Sequence, residues 1–472
     1  MTASMKNIDK GSKAYLGSLT FVAVLGGLLF GYDTAVISGA ERALEAFFSQ
    51  ATDFVYTKGW HGITASSALL GCIIGGFLSG LLAPRWGRRN SLRFAAVLFF
   101  ISAIGSWRPE MLFFEFGKPT FSLLLAFNAY RILGGIGVGL ASAICPMYIA
   151  EMAPAHVRGR LVSVNQFAII FGMLVVYFVN YLIRTNLPEP VEMSMVEVGW
   201  RRMFLSEAYP IALFGFLLLF VPKTPRFLVM SGDETKALHV LTRINGTNAA
   251  RTILEEIKET VIEKREKLFS YGVTVVIIGI LLSFFQQAVG INVVLYYAPR
   301  IFENLGATGD VSMRQTVVMG FVNIIFTLVA IFTVDKFGRK PLLIIGSIGM
   351  MIGMAALSVL SFMDVIGIAA LVFIIIYTAS FMMSWGPITW VLISEIFPNT
   401  IRGQAVAIAV AAQWIANFLV SSTFPSLSVW STGGAYLIYA FFSLLSGIFV
   451  YKMVPETKGK TLEDMTRLWR KK

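Results

Sequence analysis

The chain has 472 residues, of which 56% are hydrophobic and only 14% charged, with a mean hydropathy of +0.72. A water-soluble domain carries roughly 25% charged residues, so this composition excludes a string of soluble domains and points to a chain embedded in lipid. The formal net charge of +12 does not mark a nucleic-acid binder. Most of the lysines and arginines fall in loops on one side of the apolar runs, the bias that orients membrane proteins.

Apolar runs of about 20 residues, enough to cross a bilayer core, recur along the whole length. In chain order they fall at 15–39, 61–83, 91–107, 121–149, 160–183 and 203–221, then at 270–297, 313–334, 341–363, 367–394, 403–428 and 433–453. The first run is too long for a cleaved signal core and is read as retained. Cys72 lies in the second run and Cys145 in the fourth, as buried thiols. His61, His156 and His239 lack metal-ligand spacing, so neither a metal nor a cofactor is expected. Gly134-Gly-Ile-Gly-Val-Gly139 lies inside a run with no strand before it. It reads as close helix packing and not as a phosphate loop. The only long polar stretch is 222–269. Its core, 249–267, is rich in Glu, Lys, Arg and Ile at helical spacing, which predicts short amphipathic helices on the cytoplasmic face. The basic tail, 452–472, is read as helical.

Three signatures occur twice, about 250 residues apart. Arg85-Trp-Gly-Arg-Arg89 is answered by Lys336-Phe-Gly-Arg-Lys340. Glu151-Met-Ala-Pro-Ala-His-Val-Arg158-Gly159 is answered by Glu395-Ile-Phe-Pro-Asn-Thr-Ile-Arg402-Gly403. Pro222-Lys-Thr-Pro-Arg226 is loosely answered by Pro455-Glu-Thr-Lys-Gly-Lys460. Duplication around a central cavity is how many transporters are built.

Together with Gly27-Leu-Leu-Phe-Gly-Tyr-Asp33, Gln286-Gln-Ala-Val-Gly-Ile-Asn292 and Trp385-Gly-Pro-Ile-Thr-Trp390, these motifs resemble the sugar porters of the major facilitator superfamily. The likeness is strongest to the bacterial D-xylose–proton symporters. It covers nearly the whole chain. It implies an all-α membrane protein with twelve transmembrane helices in two pseudo-symmetric six-helix bundles. The expected divisions are 1–221 for the first bundle, 222–269 for a cytoplasmic helical linker, 270–454 for the second bundle and 455–472 for a cytoplasmic tail. The expected setting is the bacterial inner membrane, crossed many times, with both termini cytoplasmic. Two departures stand out. Pro84 replaces the usual acidic residue before the first basic loop, and Lys223 replaces the usual Glu of the Pro-Glu-Ser-Pro-Arg motif.

Two ionisable residues lie where they should not. Asp33 and Arg131 fall inside apolar runs, where a lone charge costs about 2.5–3.5 kcal/mol on insertion scales. They are read as a proton-coupling pair, a role the resemblance also implies for Asp33. A sugar presents a ring of hydroxyls, best met by amides, which donate and accept, and by aromatic faces. Gln166, Gln286, Gln287, Asn292, Asn323 and Gln413 supply the amides. Trp390, Trp414, Tyr296 and Phe381 supply the rings, and Gly386-Pro387 marks a bend. Met173 is the informative departure. It lies two turns after Gln166, where xylose symporters carry Gln and glucose carriers an apolar residue, so it weakens pentose selectivity.

Glu151, Arg158, Glu395, Arg402, Arg85, Arg89, Asp335 and Arg339 bracket the cytoplasmic ends of the spans. They are read as a gate in which each glutamate bridges to arginines of the opposite loops when the inside is closed. The partners implied are a monosaccharide, a proton and the lipid bilayer, with no nucleic acid, and the chain is expected to be a monomer. Proton-coupled D-xylose transport leads. A facilitative or proton-coupled D-glucose carrier of the same fold is the alternative, and a non-transporting membrane sugar sensor a remote one. No nucleophile, base and metal constellation supports an enzyme.

Overall fold

The computed structural model describes residues 11–261, 267–304, 306–363, 368–458 and Trp469. Most of the expected helical tail, 459–468 and 470–472 with Lys460 of the third repeat, lies outside them, and residues 454–458 are not helical. The first half holds α1 (Lys13–Phe48), α2 (Lys58–Trp107), α3 (Phe121–Met152), α4 (Ala155–Thr185), α5 (Trp200–Ser206) and α6 (Ala208–Leu217). Three linker helices follow, α7 (Pro225–Met230), α8 (Glu234–Asn245) and α9 (Thr247–Val261). The second half holds α10 (Val273–Ala288), α11 (Ile291–Tyr296), α12 (Ala298–Asn304), α13 (Gly309–Phe337), α14 (Arg339–Phe362), α15 (Ile368–Met382), α16 (Trp385–Ile396), α17 (Asn399–Trp430) and α18 (Thr432–Met453).

Among the described residues, ten helical segments are long and apolar enough to cross a membrane. The count reaches twelve crossings because α2 folds back on itself and because the sixth span is broken. In α2 the chain reverses at Gly87 (φ 79°, ψ 159°). A Cβ there would lie 2.9 Å from the Phe227 ring, so the turn needs glycine both for its left-handed φ and for space. Its repeat partner Gly338 (φ 91°) turns the chain between α13 and α14 in the same way. The second repeat also marks a shared break. Pro154 (φ −55°, ψ 147°) separates α3 from α4, and Pro398 (φ −56°, ψ 146°) separates α16 from α17. Proline fixes φ and cannot donate to the turn before it, which ends the preceding helix.

Four spans differ from their expected form. The sixth is two helices, α5 and α6, parted by a turn at Glu207. The tenth breaks at Ser384 (φ −136°, ψ −91°), just before Gly386-Pro387 and not at it. That placement leaves Pro387 in the first turn of α16, where its missing N–H is harmless. The seventh breaks at Gly290 (φ 89°, ψ 17°), as its glycine suggests, and again at Tyr297. The first span also runs well past its apolar part, to Phe48.

Helices of each half pack mainly on one another. Across the halves, α2 packs on α17 and α4 on α13. These two contacts exchange under the repeat, since spans 2 and 11 map onto spans 8 and 5. The glycines of α3 do pack closely, for a Cβ on Gly135 would lie 1.8 Å from the Ala68 carbonyl oxygen on α2. Exposed Phe77, Phe100, Phe216, Phe321, Phe332 and Phe441 face outward, as expected of a surface solvated by lipid. An even number of crossings puts the start of α1, the end of α18, the linker and the Gly87, Pro154, Gly338 and Pro398 turns on one face, the terminal face. Arg243 of α8 stacks on Tyr15 there, and Ser12 donates its backbone N–H to the Arg243 carbonyl at 2.9 Å.

Candidate functional site

A cavity of about 80 Å³ lies between the halves. Eleven of the twelve expected sugar-site residues line it: Gln166, Met173, Gln286, Gln287, Asn292, Tyr296, Phe381, Gly386, Trp390, Gln413 and Trp414. Broken helices put them there. Gln286 and Gln287 end α10, Asn292 and Tyr296 start anew on α11, and Gly386 and Trp390 open α16 after the Ser384 break. Asn323 is the correction. It is buried on α13 but does not line the cavity. Its helix packs on α4 and α15, and its Oδ1 is buried with no hydrogen-bond partner among the described residues.

The amides form a connected network. Gln286 Nε2 donates to the carbonyls of Trp385 (3.0 Å) and Gly386 (3.2 Å), at the start of α16 just after the break in the tenth span. Gln286 Oε1 accepts from Gln413 Nε2 (2.6 Å) and Gln287 Nε2 (3.3 Å). Asn292 Nδ2 donates to Gln287 Oε1. Two groups at the wall keep unused capacity: Gln413 Oε1 and Trp414 Nε1 are buried with no hydrogen-bond partner among the described residues. One acceptor and one donor left over beside a cavity suit a ligand hydroxyl, which both donates and accepts. Phe30 and Trp414 stand 5.6 Å apart, tilted by 51°, and supply an apolar wall for C–H faces.

Sequence reasoning missed Phe30, Thr34, Ile169, Ile170 and Asn417, which also line the cavity. Asn417 was within reach, because it follows Gln413 by four residues and so shares its helix face. Phe30 is one of 39 phenylalanines, set apart only by its place in the Gly27–Asp33 motif.

The second site lies directly behind this wall. Arg131 Nη1 donates to Asp33 Oδ1 at 2.8 Å and Nη2 to the Asp33 carbonyl at 3.1 Å. Both side chains are almost wholly buried, and the guanidinium sits 5.0 Å over the Phe204 ring. Glu207, at the break between α5 and α6, is buried and faces the same pair. It was overlooked in the sequence, although a carboxylate inside an apolar run is the signal that exposed Asp33. Two carboxylates thus lie near one guanidinium, whose hydrogen bonds go to Asp33, while Glu207 Oε1 has no hydrogen-bond partner among the described residues. A proton on one of them makes the cluster neutral, which buried surroundings demand. Thr34 and Phe30, beside Asp33 on α1, line the cavity, and the Thr34 hydroxyl donates to the Phe30 carbonyl at 2.8 Å. One helix thus carries the ionisable group and, on neighbouring faces, part of the cavity wall.

At the terminal face each repeat builds one ion pair. Arg88 Nη2 meets Glu151 Oε1 at 2.6 Å, and Arg339 Nη2 meets Glu395 Oε1 at 2.9 Å, with Arg339 Nε 3.2 Å from Oε2. Thr457 adds a hydrogen bond to Glu395 at 2.6 Å. Glu456 accepts the backbone N–H groups of Arg339 (3.1 Å) and Lys340 (2.9 Å) at the Gly338 turn. The expected bridging to opposite loops is not what this conformation holds, because both pairs stay within their own half. The reason is local: the glycine turn aims the arginine that follows it at the end of the helix that the same half's proline breaks. The partner of Glu151 is Arg88 and not its neighbours. Arg85 and Arg158 are exposed, Arg89 donates to the Val221 carbonyl at 3.3 Å, and Arg402 donates to the Phe397 carbonyl at 3.2 Å. The Asp335 side chain lies outside the described residues.

Residues 19–469 match the family described as "Sugar (and other) transporter". The chain belongs to that family. The transporter is 51% identical to the D-xylose-proton symporter of Escherichia coli, covering 97% of this chain and 96% of that one. It is 43% identical to the glucose transport protein of Synechocystis, covering 94% and 95%. A partially occluded inward open structure of the xylose transporter XylE from E. coli superposes with a TM-score of 0.86 at 49% identity, covering 95% of this chain and all of that one. The all-α, twelve-span fold is therefore shared with solved major facilitator structures, and the transporter is not an enzyme.

Proposed function

We propose that this transporter is a proton-coupled symporter of a monosaccharide, with D-xylose the leading substrate, that works by alternating access. The carrying observation is the double use of α1, which places a buried carboxylate–guanidinium pair directly behind an amide-lined cavity. The D-xylose-proton symporter of E. coli supports the coupling and the pentose. We further propose the division 1–221, 222–269, 270–454 and 455–472, with the two bundles rocking as units around the cavity. The terminal face is cytoplasmic on the positive-inside bias, and the working unit is a monomer in the inner membrane.

The cycle follows from the geometry. With the cavity open to the outer side, a shift of α1 against α3 within the first bundle loosens Arg131 from Asp33, and a buried carboxylate without its partner takes a proton. Sugar then fills the cavity and engages Gln166, Gln286, Gln287, Asn292 and Gln413, against Trp390, Trp414, Tyr296 and Phe381. The bundles rock, Arg131 returns to Asp33, and the proton leaves to the cytoplasm. One proton crossing 100 mV is worth about 2.3 kcal/mol, enough for roughly 50-fold sugar accumulation. Glu151 and Glu395, paired here within their own halves, re-pair with arginines of the opposite loops when the cytoplasmic side closes.

A second reading rests on Met173. An apolar side chain at that wall favours a hexose, so a D-glucose carrier is the alternative, supported by the glucose transport protein of Synechocystis. Uptake of a panel of pentoses and hexoses into proteoliposomes, with and without a proton gradient, separates the two. Accumulation of D-xylose that collapses on adding an uncoupler supports symport. Equal exchange that ignores the gradient refutes it.

A further inference from the structure

The face opposite the termini carries a charged cluster that neither the cavity nor the Asp33 pair uses. Glu41 and Glu45 lie one turn apart on the final stretch of α1, and Glu41 is buried. Arg300 on α12 reaches across from the second half and bonds both. Its Nε donates to Glu41 Oε1 at 2.8 Å and its Nη2 to Glu45 Oε2. The first half steadies these carboxylates from behind. His61 Nε2 lies 2.8 Å from Glu41 Oε2, Tyr56 hydroxyl lies 3.3 Å from His61 Nδ1, and Lys58 bonds Glu45. Two more pairs cross along the same rim: Arg42 with Glu303, and Arg184 Nε with Asp310 at 2.9 Å.

The polarity of these crossings alternates. The first half presents carboxylates to Arg300 but cations to Glu303 and Asp310. Such a pattern accepts one docking register and repels a shifted one. Depth decides which crossing matters most. Arg184 meets exposed Asp310, and Arg42 is itself exposed, so these two pairs are worth little. The Arg300 and Glu41 side chains are only 10% and 1% exposed. Removing one partner there strands a buried charge, which is far more costly. Carboxylate and imidazole atoms of Glu41, Glu45 and His61 lie within 4.8 Å of one another, as they would around a metal ion. The Arg300 guanidinium already fills that cationic role. A water-accessible cavity of about 620 Å³ adjoins the rim, so the charges meet water as soon as the halves part.

We propose that Arg300, seated between Glu41 and Glu45, is the latch that holds the outer ends of the two halves together, with His61 as the residue that positions Glu41 for it. The inference rests on the alternating-access reading above. The closed network is balanced, with two carboxylates facing Arg300 and Lys58. Opening withdraws Arg300 and leaves both carboxylates to Lys58 and water. The terminal-face pairs of Arg88 with Glu151 and Arg339 with Glu395 stay within their own halves, so they neither assist nor oppose this latch.

The test measures the distance between spin labels at Val55→Cys and Val429→Cys, two exposed outer positions on opposite halves, in the full chain in liposomes. The native Cys72 and Cys145 are buried and serve as the unlabelled control. Arg300→Gln is expected to raise the open-to-closed ratio on the order of tenfold. Arg300→Lys retains most of the closed population, His61→Gln retains it by keeping a donor to Glu41, and His61→Leu loses part of it. Unchanged distances in Arg300→Gln, or equal opening by Arg300→Lys and Arg300→Gln, overturn the proposal. Should Arg300→Gln fail to fold, Glu41→Gln with Glu45→Gln removes the other side of the latch and must open the outer face to a similar extent. Distances are read without sugar or a proton gradient, so failure of the latch is distinguishable from failure of symport.

Discussion

Met173→Gln asks whether one side chain sets the sugar preference. Met173 is buried at the cavity wall, two turns along α4 from Gln166. Glutamine is close to methionine in length and volume, so repacking costs little. What changes is one donor and one acceptor aimed at the cavity. A neutral hydrogen bond contributes about 1 ± 0.5 kcal/mol net, and fixing one more flexible side chain costs roughly 0.5–1.5 kcal/mol. Two new bonds to a bound hydroxyl therefore leave about 1 kcal/mol, or roughly fivefold in affinity. D-glucose has the ring hydroxyls of D-xylose plus a hydroxymethyl group at C5, so it loses the new bonds only because that group holds its ring off the amide. On that premise the xylose-to-glucose affinity ratio should rise about fivefold. Isothermal titration of the purified variant with both sugars reads it directly. A ratio that moves less than twofold in a properly folded variant refutes the placement of residue 173 against the sugar.

Three further outcomes follow. Glu395→Gln removes the Arg339 pair and the Thr457 hydrogen bond seen here and, with them, the carboxylate proposed to bridge the halves when the cytoplasmic side closes. The pair is partly exposed, so the shift toward the inward-open state should be only severalfold. It is read as slower labelling of Ser38→Cys by an impermeant thiol reagent added on the outer side, and unchanged labelling counts against the gate. Burial opposes ionisation of Glu456, but the N–H groups of Lys458, Arg339 and Lys340 outweigh it and hold the carboxyl below its ordinary value. Its contribution to stability is therefore present above the ordinary carboxyl range and lost as pH falls through the lowered value. Thermal melts should show that acid loss in the parent and less of it in Glu456→Gln. Gly87→Ala forces a left-handed φ on alanine and drives its Cβ against Phe227. The expected cost is about 1–3 kcal/mol, and a melting temperature unchanged in Gly87→Ala contradicts the turn argument.

Much of this architecture is legible in the sequence because lipid makes strict demands. Spans must be long and apolar, and turns need glycine or proline where the chain reverses. The repeated Gly87 and Gly338, and the repeated Pro154 and Pro398, announce the same turn twice. Amides inside apolar runs have few places to go, and most of them converge on the cavity. Asn323 does not, since an amide in a helix does not reveal which neighbour it faces. Phe30 was hard to single out because aromatic residues are everywhere in such a chain. Glu41, Glu45 and Arg300 looked like ordinary charges at span ends until α1 proved to run on to Phe48. The exact gate pairings were hidden for a related reason. Spacing names the candidates Arg85, Arg88 and Arg89, but only the Gly87 turn decides which of them meets Glu151.

The account stands on coupling between the buried carboxylate and the sugar cavity. The most direct measurement is sugar accumulation in proteoliposomes under an imposed proton gradient, comparing the parent with Asp33→Asn, alongside counterflow without a gradient. The parent should concentrate D-xylose tens-fold, while Asp33→Asn should still exchange sugar yet reach no more than equal concentrations on both sides. Gradient-driven accumulation surviving in Asp33→Asn would contradict the account.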